Sequence, residues 1–192
     1  MTKFLLAILS IFFLSHLYSC SPVGVLAGGG TTTMVVAEGD RSLGTVVDDA
    51  TIKLNLSTKF LQSGNDLFVN INSNVLEGRV LLTGIVETQE NRIEAVKTAW
   101  EVAGVKEVVN EIEVGDKTSL KEYANDLWIN TQAKGLAAKA IGLRVVGYNF
   151  ETIQGKVYIA GITSRPEQLE DIIDAIKTIK GVKEIVNYVI IK

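Results

Sequence analysis

Hydrophobic and polar positions follow one another along this 192-residue chain in an order that occurs twice. The segment GRVLLTG at 78–84 recurs as GKVYIAG at 155–161, and GVKEVVN at 104–110 recurs as GVKEIVN at 181–187. Both pairs lie 77 positions apart, so no residue is inserted between the two matches. The constant offset indicates two copies of one module joined head to tail.

The periodicity predicts the same order of elements in both copies. A first helix is predicted after Ser42 in the first copy and after a capping box, Ser119-x-x-Glu122, in the second. Alternating strands flank a glycine turn, an amphipathic helix follows, and a last strand ends the copy. The module is therefore predicted to be α-β-β-α-β, an α+β fold with two helices on a three-stranded mixed sheet.

The predicted bounds also follow from these patterns. Helices are expected over 43–61, 89–103, 120–140 and 166–180, and strands over 67–73, 79–86, 105–114, 143–150, 156–163 and 182–191. Ser164 is expected to cap the helix that begins near Pro166, and Gly104 and Gly181 are placed for left-handed helix caps. With domains at 42–115 and 117–192, each copy is expected to fold as its own unit.

The N-terminus has the pattern of an export signal. Lys3 precedes an almost unbroken apolar run over 4–17, which is shorter than the roughly 20 residues of a spanning helix. The following Leu-x-Ser-Cys resembles the lipobox of bacterial lipoproteins, which implies a signal peptide at 1–19 and acylation, palmitate included, of Cys20. The alternative is an ordinary signal peptide with an incidental cysteine. Residues 20–41 are predicted to be a flexible spacer.

The cysteine and histidine content of the chain limits the chemistry that the mature protein can perform. Cys20 is the sole cysteine, and the sole histidine, His16, is lost with the signal peptide. The mature chain then has no imidazole, disulfide or free thiol, so neither a Cys- or His-based metal site nor a Ser-His pair can form. We therefore predict no cofactor, no metal and no enzymatic activity. Charge is uneven: residues 38–116 hold 7 basic and 14 acidic residues, whereas residues 117–192 hold 11 and 8.

A lipobox followed by two α-β-β-α-β copies, each with G-x-V-x-L/I-x-G and G-V-K-E-V/I-V-N, resembles the bacterial BON-domain family and its dual-BON lipoproteins. The resemblance implies a protein anchored in the outer membrane that faces the periplasm. It also implies binding of anionic phospholipid by one copy, support of envelope integrity, and no nucleic-acid partner. The alternative is a protein-interaction module that docks envelope-assembly or cell-wall enzymes, with lipid contact secondary.

Comparing the copies singles out one tryptophan. Trp128 corresponds to Thr51, and a position that accepts threonine is a poor candidate for deep core. The residues on the face of Trp128 are Lys121, Gln132, Gly135 and Lys139. An indole flanked by cations is typical of an interfacial lipid contact, so these five residues form the predicted lipid-binding site. The alternative is packing between the two copies. Trp100 corresponds to Lys177 and is predicted to be structural, and the core face of the Trp128 helix is predicted to include Ala140.

Overall fold

The computed structural model describes residues 42–116 and 118–192. The predicted signal peptide, the spacer and Cys20 lie outside the described residues. The first copy consists of α1 (Leu43–Ser63), α2 (Asn65–Asn70), β1 (Ile71–Leu76), β2 (Arg79–Val86), α3 (Gln89–Trp100) and β3 (Glu107–Val114). The second consists of α4 (Leu120–Ile141), a 3₁₀ helix (Gly142–Gly147), β4 (Tyr148–Ile153), β5 (Lys156–Thr163), α5 (Pro166–Lys177) and β6 (Glu184–Ile191). None of the helices described here has the length and apolarity to cross a bilayer.

Both copies contain the same mixed sheet, as predicted. The strand orders are β1-β2-β3 and β4-β5-β6, with the first two strands of each sheet antiparallel and the last two parallel. The registers agree as well: Ile71 pairs with Gly84 in the first sheet, and Tyr148 pairs with Gly161 in the second. The α+β fold is therefore confirmed, and the central strands lie at the predicted bounds.

The first strand of each copy begins later than predicted. Residues 67–70 belong to helix α2, and residues 143–147 belong to the 3₁₀ helix. Leu67 and Ile71 are both buried and lie four residues apart, so a helical turn satisfies their apolar spacing as well as a strand would. The helix before the last strand of each copy, α3 or α5, ends three residues earlier than predicted. The last strands, β3 and β6, begin two residues later than predicted.

The helix caps are partly as predicted. The hydroxyls of Ser42 and Ser119 accept hydrogen bonds from the first turns of α1 and α4. The N-cap position of α5 is Arg165, one residue after the predicted Ser164, and Pro166 occupies the first turn. Gly104 and Gly181 have the expected positive φ, +93° and +96°, but lie beyond the caps, in the turns that lead to the last strands.

Three hydrophobic clusters form the core. One lies between the helices and the sheet of each copy, and it includes Leu82 in the first copy and Ile172 in the second. The third joins the opposite faces of the two sheets. Its buried members are Leu76, Leu81, Ala160 and Ile162. The two copies therefore share a buried cluster, and the expectation that each copy folds as its own unit stays a prediction.

Polar contacts surround this shared cluster. The Tyr188 hydroxyl donates to Glu111 Oε1 at 2.5 Å, and Lys156 Nζ lies 2.8 Å from Glu113 Oε1. Burial, together with the bond to Glu111, raises the pKa of Tyr188 to about 12. The two copies are thus held together by hydrogen bonds and an ion pair as well as by apolar contact.

A further polar contact links the two strands β1 and β4. Asn72 Nδ2 donates to Glu151 Oε1 at 2.9 Å. Burial raises the pKa of Glu151, while the positive charges of Lys134 and Lys53 act in the opposite direction. The carboxylate form of Glu151 is therefore disfavoured at this junction between the copies.

Candidate functional site

Helix α4 carries the predicted site, and its start is fixed by a complete capping box. Glu122 N–H donates to Ser119 Oγ at 3.3 Å, and Glu122 Oε2 accepts from Ser119 N at 2.9 Å and from Ser119 Oγ at 2.7 Å. The bond from the Ser119 hydroxyl, followed by the backbone bond, lowers the pKa of Glu122. The helix therefore begins at a defined residue and presents a defined face.

A buried aspartate holds α4 against the hairpin of its own sheet. Asp126 Oδ2 accepts from Gln154 N at 2.6 Å, and its Oδ1 accepts from Gly155 N at 2.8 Å. These amides belong to the turn in which Gln154 and Gly155 have positive φ. Asp49 makes the same pair of bonds in the first copy, to Glu77 N and Gly78 N. This anchor was not predicted, although the aspartate recurs at the 77-residue offset in the sequence.

The inner face of α4 belongs to the core. Ile129, Ala133 and Ala137 are fully buried. Ala140, which was predicted to share this face, is exposed, and Ile141 is buried in its place. The correction follows from helix geometry, because residues 129, 133, 137 and 141 repeat every four positions and form one row.

The five predicted site residues lie together on the outer face. Trp128 is 48% exposed, and Lys121, Gln132, Gly135 and Lys139 are all exposed. A Cβ placed on Gly135 would meet no heavy atom within 4 Å, so packing does not require glycine there. The structure thus brings the predicted residues to one accessible surface with an indole and two cations.

Trp128 lies outside the contact between the copies. The cluster that joins the two sheets is formed by strand residues, and the described core clusters do not include the indole. The α4 helix covers the other face of its sheet, where it packs on α5 and β4. The structure therefore gives no support to the alternative in which Trp128 packs between the copies.

The exposed surface of α4 is more apolar than predicted from the sequence. Leu120 is 89% exposed, Tyr123 62% and Leu127 55%. Their spacing, i, i+3 and i+7, places them in one stripe, which is rotated by about 80–140° around the helix from Trp128. We call the α4 face the surface formed by Leu120, Tyr123, Leu127, Trp128, Lys121, Gln132, Gly135 and Lys139. The signal for the added residues was a second apolar stripe on the helix, between the buried row and the face of Trp128.

A shallow cavity adjoins the start of this face. It has a volume of about 380 Å³, and Lys121 and Lys183 contribute its two cationic side chains. Glu122 and Asp126 contribute carboxylates, both of which already accept hydrogen bonds within the fold. The cavity is therefore polar and of mixed charge, whereas the α4 face beside it is apolar with a cationic border.

Sequence comparison places this geometry in a family. The chain matches the BON domain over residues 48–116 and 125–192. These two matches cover most of the chain and correspond to the two α-β-β-α-β copies. The chain therefore belongs to the BON-domain family, with two tandem domains.

Three relatives extend the comparison. A protein from Anaplasma centrale, described as an uncharacterized protein in the gshII 5′ region, is 40% identical over 76% of this chain and 96% of its own length. Outer membrane lipoprotein DolP of Haemophilus influenzae is 29% identical over 85% of both chains. Osmotically-inducible protein Y of Escherichia coli is 30% identical over 77% of this chain and 74% of its own length.

Proposed function

We propose that this protein is a lipid-anchored periplasmic protein of the outer membrane that binds anionic phospholipid through the α4 face. Binding, not catalysis, is the proposed activity, and the proposed role is support of envelope integrity. The similarity to a protein named outer membrane lipoprotein supports the location. The Leu-x-Ser-Cys sequence supports acylation of Cys20 as the anchor.

The exposed apolar stripe of α4 is the observation that carries the proposal. Three large apolar side chains and an indole lie in solvent, although the buried side of the same helix already supplies the core. A helix on a bilayer buries such side chains among the head groups and acyl chains, with lysines toward the phosphates. The charge of the second copy, a net of +3 over residues 117–192, favours the same surface.

The size of the electrostatic effect can be estimated from the two lysines beside Trp128. Each cation near an anionic surface contributes about 1 kcal/mol. Lys121 and Lys139 together should therefore make binding to anionic vesicles roughly thirtyfold tighter than binding to neutral ones. This difference should shrink as salt is raised, because the screening length falls to about 8 Å at physiological ionic strength.

Vesicle binding by the fragment 35–192 tests the proposal, since that fragment contains all three core clusters. Trp128→Glu should abolish binding to phosphatidylglycerol or cardiolipin vesicles and leave the circular dichroism spectrum unchanged. The matched control is Thr51→Glu, an exposed helix position at the 77-residue offset, which should bind like the parent. Unchanged vesicle binding by a folded Trp128→Glu variant would refute the α4 face as the lipid site.

The anchor is tested separately in cells. Cys20→Ala should move the protein from the membrane to the soluble periplasmic fraction, because each buried acyl CH₂ contributes about 0.8 kcal/mol to membrane affinity. A variant that is correctly cleaved, lacks acyl chains and still sediments with the outer membrane would show that Cys20 is not the anchor.

A further inference from the structure

Helix α3 of the first copy carries an exposed apolar patch of its own. Ile93 is 45% exposed and Trp100 is 52% exposed. The two residues lie seven positions apart, which is two helical turns, so they occupy the same side of α3. Neither belongs to a described core cluster. Trp100 is thus about half in solvent and half covered, and its structural role stays a prediction.

The second copy shows that the fold does not need this patch. At the 77-residue offset, Ile93 corresponds to Glu170 and Trp100 corresponds to Lys177. Both counterparts are exposed, and Lys177 pairs with Asp174 at 2.8 Å on the helix surface. A position that accepts a solvated charge in one copy does not require an indole in the other. Exposed aromatic residues of this kind are typical anchors of binding surfaces.

The surroundings of the patch carry charges of both signs, with an excess of glutamate. Exposed Lys97 lies between Ile93 and Trp100, and Glu90 and Glu94 are exposed within one turn of Ile93. Glu101 follows Trp100 and pairs with Lys59 Nζ at 3.0 Å. We call Ile93, Trp100, Lys97 and these three glutamates the α3 face. The first copy carries a net charge of −7 over residues 38–116, which opposes binding to an anionic bilayer. The occupant of the α3 face should therefore have an apolar centre and a cationic border.

The chain itself contains a surface with that chemistry. The α4 face presents Trp128 on the same side as Lys121 and Lys139, with Leu127 on the adjoining side of the helix. Opposite charges around two apolar centres favour encounter and fix the orientation of a contact. The two faces of one molecule cannot meet, because the sheets pack on each other and the helices cover their outer sides. The contact must therefore join two molecules.

We propose that the α3 face of one molecule binds the α4 face of another, in a head-to-tail contact between copies of this protein. Such a contact uses two different surfaces, so each bound molecule keeps one face free and further molecules can add. The contact depends on the shape and charge of the α4 face and not on its lipid preference. A bilayer that covers the α4 face would compete with it.

Sedimentation velocity of the fragment 35–192, without detergent and at low salt, tests the contact. The parent fragment should associate with rising concentration, and high salt should reverse the association. Trp100→Glu alone and Trp128→Glu alone should each weaken it at least about tenfold, as loss of a central anchor does. The matched controls, Lys177→Glu and Thr51→Glu, should associate like the parent.

Mixing the two variants distinguishes this contact from a symmetric one. Trp100→Glu keeps an intact α4 face and Trp128→Glu keeps an intact α3 face, so an equimolar mixture should form a one-to-one dimer and no larger species. Self-association of either variant alone at parent strength would indicate a symmetric interface and overturn the proposal. A parent fragment that stays monomeric at low salt up to about 200 μM, a concentration at which even weak specific contacts are populated, would also overturn it.

Vesicles separate this proposal from the proposed function. Trp100→Glu should bind anionic vesicles like the parent, and those vesicles should dissolve the parent assembly. If Trp100→Glu reduces vesicle binding as strongly as Trp128→Glu, the α3 face is a membrane surface and the self-association proposal fails. Association without any vesicle binding would instead refute the lipid role of the α4 face and leave the contact between molecules supported.

Discussion

Leu81→Ala tests whether the two BON domains unfold as one unit. Leu81 is 6% exposed and belongs to the cluster that joins the sheets, whereas the next residue, Leu82, points into the core of the first copy. Truncation of a buried leucine to alanine costs about 2–5 kcal/mol, depending on the cavity that remains. The shared cluster has four buried members, so we expect Leu81→Ala to lower the free energy of unfolding by about 3 kcal/mol, which is in the lower half of that range.

The chain provides one fluorescent probe in each copy. Its two tryptophans are Trp100 in the first copy and Trp128 in the second. In urea unfolding, single-tryptophan versions made with Trp128→Phe or Trp100→Phe report each domain separately. The parent transitions should coincide, and Leu81→Ala should lower both midpoints. The reasoning is refuted if Leu81→Ala moves the Trp100 transition and leaves the Trp128 transition at the parent midpoint.

A double-mutant cycle supplies the matched control. Ile162 belongs to the shared cluster but comes from the second copy. Leu81→Ala and Ile162→Ala should therefore couple, with an interaction energy of about 0.5–3 kcal/mol. Leu82→Ala and Ile162→Ala should add to within about 0.5 kcal/mol, because Leu82 lies in a different cluster. If the interaction energy were the same in both cycles, the coupling between the domains would not depend on the contact between Leu81 and Ile162.

Three further predictions concern single sites. Because the folded-state pKa of Glu151 is raised, ionisation of this carboxyl lowers the free energy of unfolding as pH rises through that pKa. Glu151→Gln should therefore raise the urea midpoint at pH 7. Near the ordinary carboxyl pKa of about 4.3, the midpoints of the variant and the parent should coincide. Gly135→Ala should stabilise the exposed helix by about 1 kcal/mol in the same assay, since no atom obstructs a Cβ. Asp126→Ala should cost about 3 kcal/mol by leaving the amides of Gln154 and Gly155 unpaired; a loss below about 1 kcal/mol would show that these bonds are dispensable.

The architecture could be predicted because the sequence repeats its own pattern. Strands β2 and β5 lie at the predicted bounds. Each begins directly after the glycine of its hairpin turn, Gly78 or Gly155, and continues as a run of buried residues. The segments before β1 and β4 could not be assigned from alternation, since Leu67 and Ile71 fit a helical turn equally well. Local spacing could not decide there between helix and strand, and tertiary packing did.

The candidate site was predicted in part, for a different reason. Trp128 was identified because its counterpart is threonine, and the structure places it at the surface. Leu120, Tyr123 and Leu127 were missed because their spacing is also that of a core stripe, and only the position of the sheet shows which stripe is buried. Asp126 was missed because its partners are backbone amides 28 and 29 residues away, which have no side-chain signature in the sequence.

Exposed helical positions are among those at which the two copies differ in charge. Each sheet packs on its own helices with one face and on the other sheet with the opposite face, so strand positions that differ, such as Leu81 against Tyr158, remain buried. The outer sides of the helices carry no such constraint. Trp128 against Thr51, and Trp100 against Lys177, are differences at exposed positions, whereas the buried aspartate that anchors the hairpin is the same in both copies. Two copies packed sheet to sheet therefore leave two opposite helical layers free to acquire different charge and different partners.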